Sequence, residues 1–231
     1  VSTTSNIGAD ITTTNDQTYT GAVTMSGGNR ILRSNSGTIN NQSTIAGGSA
    51  NLTITGNLNS DGEISSTTVF SVSGTSDLGA NVTTTGTQTY TGAVTLSANV
   101  TTTTSGDTVT FSDTIDGGYA LTVDTDGTDD ASALATVQFA GVVGGSTPLA
   151  AIIITGDLDL DADIIQSDNT AGASSLEVAG TSNLGASVTT NGSQTYTGAV
   201  TLSADITLDA NDTSGTTTTY STATTTNVTI A

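Results

Sequence analysis

The sequence predicts an all-β chain, a parallel β-solenoid of about 13 coils with little or no helix. Three observations carry that expectation. First, a 24-residue block occurs three times without a gap: SNIGADITTTNDQTYTGAVTMSGG from Ser5, SDLGANVTTTGTQTYTGAVTLSAN from Ser76 and SNLGASVTTNGSQTYTGAVTLSAD from Ser182. A chain that repeats itself in this way is a stack of similar units. Second, the apolar residues fall in short alternating pairs, among them Val94/Leu96, Val109/Phe111, Leu121/Val123, Val137/Phe139, Ile152/Ile154, Leu158/Leu160, Leu176/Val178 and Val200/Leu202. A period of two puts both members of a pair on one side of a strand. Third, Thr is nearly a quarter of the chain, and its branched Cβ suits strands. Gly and Asn punctuate the runs and supply corners, and no stretch shows a 3.6-residue period.

The spacing of the copies suggests a rung length. The intervals from Ser5 to Ser76 and from Ser76 to Ser182 are close to four and six times about 17.7, which points to rungs of roughly 17–18 residues. Stacked about 4.8 Å apart, some 13 such coils make a rod roughly 60 Å long. The longer second interval places an insertion between about Asp124 and Ala151, expected to add about two rungs. A β-sandwich accommodates short strands but not block copies at rung multiples. The expected organisation is a single solenoid domain over 1–231, in three degenerate repeats of about 1–46, 47–143 and 144–231.

The chain starts at Val1, within a segment that aligns with Val72–Ser76, and closes on the strand-like Asn227–Ala231. It is expected to be a processed product or a piece of something longer. Open strand edges at both ends invite pairing. The expected partners are therefore further copies in a head-to-tail homopolymer, or continuing coils of a larger chain.

Charge excludes several functions. Two Arg and no Lys face 21 acidic residues, a net charge of −19. Nucleic acid is a poor partner for that surface, because phosphate binding needs Lys and Arg. The longest purely apolar run, Leu149–Ile154, is far too short to span a membrane. Without His or Cys there is no Ser-His-Asp or Cys-His arrangement and no His-rich zinc site. Without Lys there is no phosphate-binding GxxxxGK[ST] loop. The chain is read as a non-enzyme with no required cofactor. An excess of Thr, Ser, Asn and Gly with no Lys points to an extracellular setting.

Four groups of residues are candidate sites. Asp124, Asp126, Asp129 and Asp130 alternate around Gly127, as the oxygen ligands of a Ca2+ turn do; the other reading is a solvated turn. Asp157, Asp159, Asp161 and Asp163 would share the outer face of one strand, either as a cation-dependent row or as a solvated one. The pairs Gln17/Tyr19, Gln88/Tyr90 and Gln194/Tyr196 recur in every block. They suit an aromatic binding strip, or a Gln amide hydrogen bond near a corner with Tyr covering a coil edge. Thr12/Thr14, Thr83/Thr85 and Thr189/Asn191 are the positions for a flat Thr array that could bind ice. Asn-x-Ser/Thr sequons stand at Asn41, Asn51, Asn81, Asn99, Asn191, Asn211 and Asn227.

The run QTYTGAVTLSANVTTTTSGDTVTFSDTIDGGYALTV from Gln88, followed by GGSTPLAAIIITGDLDL from Gly144, resembles repeats of large bacterial surface proteins. These are the filamentous-haemagglutinin-like adhesins and related autotransporter passengers. The resemblance spans Ser5 to Asp205. It implies a right-handed parallel β-helix, secretion across the bacterial envelope, and a role in adhesion or matrix building. The expectation is an extracellular or cell-surface structural protein, either an adhesin segment meeting cell-surface or matrix glycans or a filament subunit. The alternatives are a carbohydrate-active β-helix enzyme or binding module, and a Thr-rich ice-binding solenoid.

Overall fold

The computed structural model describes residues 3–126, 134–166 and 170–210, and the backbone of 218–224 and 228–230. Among these residues there are 25 strands and no helix. Each strand pairs in parallel with one a full turn away in the chain, so the chain winds as a β-solenoid. Successive strands meet at corners and form three faces.

The number of turns can be read along the second face. Its inward ladder runs Ile11, Leu32, Ile54, Val72, Tyr90, Phe111, Phe139, Leu160, Leu184, Leu202. Those nine steps are nine turns, not thirteen coils. The steps are unequal: Ile54 to Val72 is among the shortest, and Phe111 to Phe139 is the longest. The inward residues of each face stay in register from turn to turn because they fill one core. Corners face solvent and absorb extra residues, so counting by one rung length overestimates the turns. The expected two-rung insertion is one wide turn for the same reason: Leu121 pairs directly with Ile152 across it.

Within each block one turn takes three hexads: Ser5 pairs with Val23, Ser76 with Val94 and Ser182 with Val200. Each hexad supplies one face, with core residues at hexad positions one and three. In the second copy these are Ser76/Leu78, Val82/Thr84, Gln88/Tyr90 and Val94/Leu96, all buried. A whole block is four hexads, one turn plus one side. The copies do not lie a whole number of turns apart. Ser5 begins the first face, beside Val23, Ile45 and Ile64. Ser76 lies on the third face, between Leu58 and Val94. Ser182 lies on the second face, beside Leu158.

The eight alternating pairs named above are all buried. Wide side chains gather in mid-rod, where Phe70, Tyr90, Phe111 and Phe139 touch in sequence at centroid distances of 5.9, 5.0 and 5.6 Å. Tyr90 and Phe111 are stacked, with 6° between their planes. Each aromatic pair contributes about 0.5–1.5 kcal/mol beyond its area burial. Turns approach closely at Gly144, whose φ is 74°. A Cβ there would run into the Gly172 backbone of the next turn, so the position needs glycine on both counts.

The corners are closed by a recurring bond. An Asx side chain at the entry to a strand segment accepts the backbone N–H of the aligned residue one turn on. Asp16 Oδ1 takes Thr38 N (2.8 Å), Asn57 Oδ1 takes Thr75 N (3.1 Å), Asn81 Oδ1 takes Thr101 N (2.9 Å) and Asn99 Oδ1 takes Ala120 N (3.0 Å). Asp10, Asn29, Asp157 and Asp163 do the same with Ile31, Asn51, Thr181 and Ser187. Asp and Asn hold a corner by side-chain acceptance, and here that acceptance also ties one turn to the next. Four of the chain's 21 acidic residues, Asp10, Asp16, Asp157 and Asp163, serve in this way.

Candidate functional site

The recurring Gln–Tyr pairs lie inside the rod. Gln88 is 0% exposed; its Nε2 donates to Val82 O on its own turn (3.1 Å) and to Thr103 O on the next (2.9 Å). Its Oε1 accepts the Tyr90 hydroxyl at 3.0 Å. Gln194 repeats the pattern with Val188 O, Asp209 O and Tyr196, at 3.1, 2.9 and 3.2 Å. Gln17 repeats it with Ile11 O, Arg33 O and Tyr19, at 3.5, 2.6 and 2.9 Å. Each module pins a corner carbonyl to the turn above. Burial pushes the Tyr90 phenol well above its ordinary pKa, and Tyr19 moves the same way, so both remain hydrogen-bond donors. An aromatic binding strip is ruled out for these pairs, because they are buried and occupy three different faces.

The same rotation disperses the Thr positions. Thr12 pairs with Arg33 on the second face, Thr83 with Thr103 on the first, and Thr189 with Asp209 on the third. Thr189 is also buried. These residues do not form one flat array.

The acidic row is divided among partners. Only Asp157 and Asp159 share a strand, Asp157–Leu160. Asp157 accepts Thr181 N at 2.7 Å and Asp159 accepts Asn183 Nδ2 at 2.9 Å. Asp161 accepts Gln138 Nε2 at 2.9 Å and Asp163 accepts Ser187 N at 2.7 Å. Each carboxylate has a donor from another turn, and no bare row of charge results.

Of the calcium-turn residues, Asp129 and Asp130 lie outside the described residues. Asp124 closes the strand Leu121–Asp124, and its Oδ1 accepts Asp126 N (3.2 Å) and Thr155 Oγ1 (2.7 Å). Among the described residues no three His, Cys, Asp or Glu side chains gather around one point. The sequons at Asn211 and Asn227 also fall outside the described residues. Asn41 is buried, with Nδ2 donating to Ser60 Oγ (3.1 Å) and Gly62 O (2.7 Å), and cannot carry a glycan in the fold.

Sequence reasoning missed two features. One is the corner Asx bond, although its signal was present: Asp10, Asp16, Asn81 and Asn99 each end a hexad. The other is Arg30, buried among main-chain carbonyls. It donates to Ile7 O (3.3 Å), Gly8 O (2.7 Å), Asn29 O (2.6 Å) and Ser26 O. No helix among the described residues is long and apolar enough to cross a membrane. No protein-family model matches the chain, and no curated protein or solved structure matches it.

Proposed function

We propose that the chain is a non-enzymatic, extracellular structural rod, working as coils of a bacterial surface adhesin or as the subunit of a head-to-tail filament. One observation carries this reading. The Gln–Tyr pairs that recur in all three copies face inward and are consumed in holding turns together, while the Thr and Ser that recur on the outside, such as Thr24, Thr95 and Thr201, fall on three different faces. A repeat selected for one binding face would keep that face in register; here each copy faces a different way. In the rod reading the ladders give stiffness and the acidic, Thr-rich exterior gives solubility. Among the described residues the strands Ser5–Ile7, Ile11–Thr13 and Gln17–Tyr19 pair on one side only, and in the filament reading such an edge takes a strand of a second copy. A right-handed winding and a Ca2+-dependent turn at Asp124, Asp126, Asp129 and Asp130 belong to the same proposal.

Electron microscopy of the purified chain, with and without chelator, tests the assembly form. Filaments would favour the polymer, and their loss in chelator would give the acidic turn a role. Isolated rods would favour a segment of a larger adhesin. Release of reducing sugar from a polysaccharide panel would sink the structural reading and favour a carbohydrate-active enzyme.

A further inference from the structure

On the third face the outward positions of consecutive turns form one ladder: Asn40, Asn59, Asp77 and Thr95. These side chains, with the corner residues Thr38, Asn57 and Thr75, line a groove of about 350 Å³. All four ladder residues carry an oxygen. The central pair is distinctive: Asn59 Oδ1 and Asp77 Oδ1 are shielded from solvent, and neither accepts a hydrogen bond from any protein group. Other Asn and Asp oxygens at comparable positions are used. The same two residue types meet on the second face, where Asn183 Nδ2 donates to Asp159 Oδ1 at 2.9 Å. Asn57, slightly earlier on the strand that carries Asn59, accepts the Thr75 N–H at its Oδ1. Desolvated acceptors without a donor are unfavourable, and a carboxylate oxygen more so than a neutral one. Two of them at directly paired positions on adjacent turns call for a shared positive partner.

We propose that Asn59 and Asp77 hold a hard divalent cation of calcium's size, which staples two adjacent turns from outside. The donor set selects the ion: calcium accepts carboxylate, amide-carbonyl and water oxygens in flexible geometry, whereas magnesium demands near-ideal octahedral geometry and dehydrates reluctantly. The Asn40 and Thr95 oxygens flank the pair along the same groove, and its open side admits water to complete the shell. With one carboxylate the affinity belongs to the weak class of extracellular calcium modules, roughly 10⁻⁴–10⁻³ M. The site is remote in sequence from the Asp124 turn and does not depend on it.

The test is calorimetric titration of the full chain with calcium chloride and, separately, magnesium chloride, with thermal melting followed by circular dichroism. Calcium should bind, raise the melting temperature, and outcompete magnesium by at least about tenfold. Asn59→Asp adds a second carboxylate and should tighten calcium about tenfold; Asp77→Asn should weaken it by a similar factor. Cooperative melting of both variants in chelator shows that the fold is intact, so a change in affinity is a change at the site. Calcium binding unchanged in both variants would place the ion elsewhere and overturn the proposal. So would a wild type and an Asn59→Asp variant that both bind no calcium. In that case the Asn59 amide closes onto Asp77 as Asn183 does onto Asp159.

Discussion

Replacing Gln88 by Leu tests whether the recurring module holds the rod together. The change nearly conserves volume, so its cost is in polar groups and not in a cavity. Tyr90 loses the acceptor it reaches at 3.0 Å, while Val82 O and Thr103 O lose donors at 3.1 and 2.9 Å. Both Gln88 and Tyr90 are 0% exposed, so water cannot substitute. An orphaned buried group costs about 1–3 kcal/mol. Counting the hydroxyl in full and the two carbonyls at the lower end gives a loss of about 3–5 kcal/mol. For a chain of this size that corresponds to a fall in Tm of roughly 6–20 °C. Tyr90→Phe alone should cost about 1–2 kcal/mol, since it orphans only the Gln88 oxygen. The double variant should be less destabilised than the sum by about 1–2 kcal/mol, because neither partner is then left unpaired. Guanidinium denaturation followed by circular dichroism gives all three numbers. A Gln88→Leu loss under about 0.5 kcal/mol, or strict additivity in the cycle, would refute the clamp. Gln17→Leu should cost less, because its own-turn bond is long, at 3.5 Å, and its turn has a neighbour on one side only.

The burial of Tyr90 sets an alkaline limit. Its phenol is raised in the folded state, so the stabilisation is complete below the unfolded value near 10 and is lost as pH climbs above it. Denaturation midpoints at pH 9, 10 and 11 should fall above pH 10, with this residue contributing up to about 1.4 kcal/mol per pH unit, and Tyr90→Phe should flatten the fall. Thr102 buries an Oγ1 with no partner at a fully enclosed position. Thr102→Val should therefore raise stability by about 1 kcal/mol, read from the same denaturation curves. Arg30→Met strips the donors from four carbonyls around the first two turns. It should cost about 3 kcal/mol, with hydrogen exchange rising first between Ser5 and Asn41. Gly144→Ala should destabilise by more than about 2 kcal/mol, because its φ is left-handed and Gly172 stands in the way; a thermal melt suffices to check it.

The sequence made the strands legible and left the corners obscure, for a physical reason. Val94/Leu96 or Leu158/Leu160 must alternate because the core lies on one side, and alternation is visible in a string of letters. The path from Phe111 to Phe139 is longer than the path from Tyr90 to Phe111. Both end in the same ladder position, because solvent does not constrain how far a corner bulges. No periodicity records that. The Gln–Tyr clamp was legible as a recurrence but not as inside or outside, since Gln is ordinarily a surface residue. Only its carbonyl partners, one own-turn and one next-turn, explain why it is buried. The Asn59–Asp77 pair had no signal at all. Those residues lie in stretches that do not resemble each other, and they meet only because one turn of the chain happens to close between them.

The rotation of the copies has a consequence for how such a rod acquires binding features. Because the hexad is the unit of the core, and Ser76/Leu78 on one face is interchangeable with Ser182/Leu184 on another, any whole number of hexads can be inserted without breaking the ladders. The three copies begin on three different faces, so a given block position is not stacked on itself along one face, although outward Thr does meet Thr one turn on, as Thr89 meets Thr110. Of the block residues in the third-face groove, Asp77 differs between copies, which carry Asn6 and Asn183 at that position, while Thr95 recurs as Thr24 and Thr201. The inward residues, by contrast, meet the same environment on any face, which is why Gln17, Gln88 and Gln194 make the same bonds while pointing in three directions.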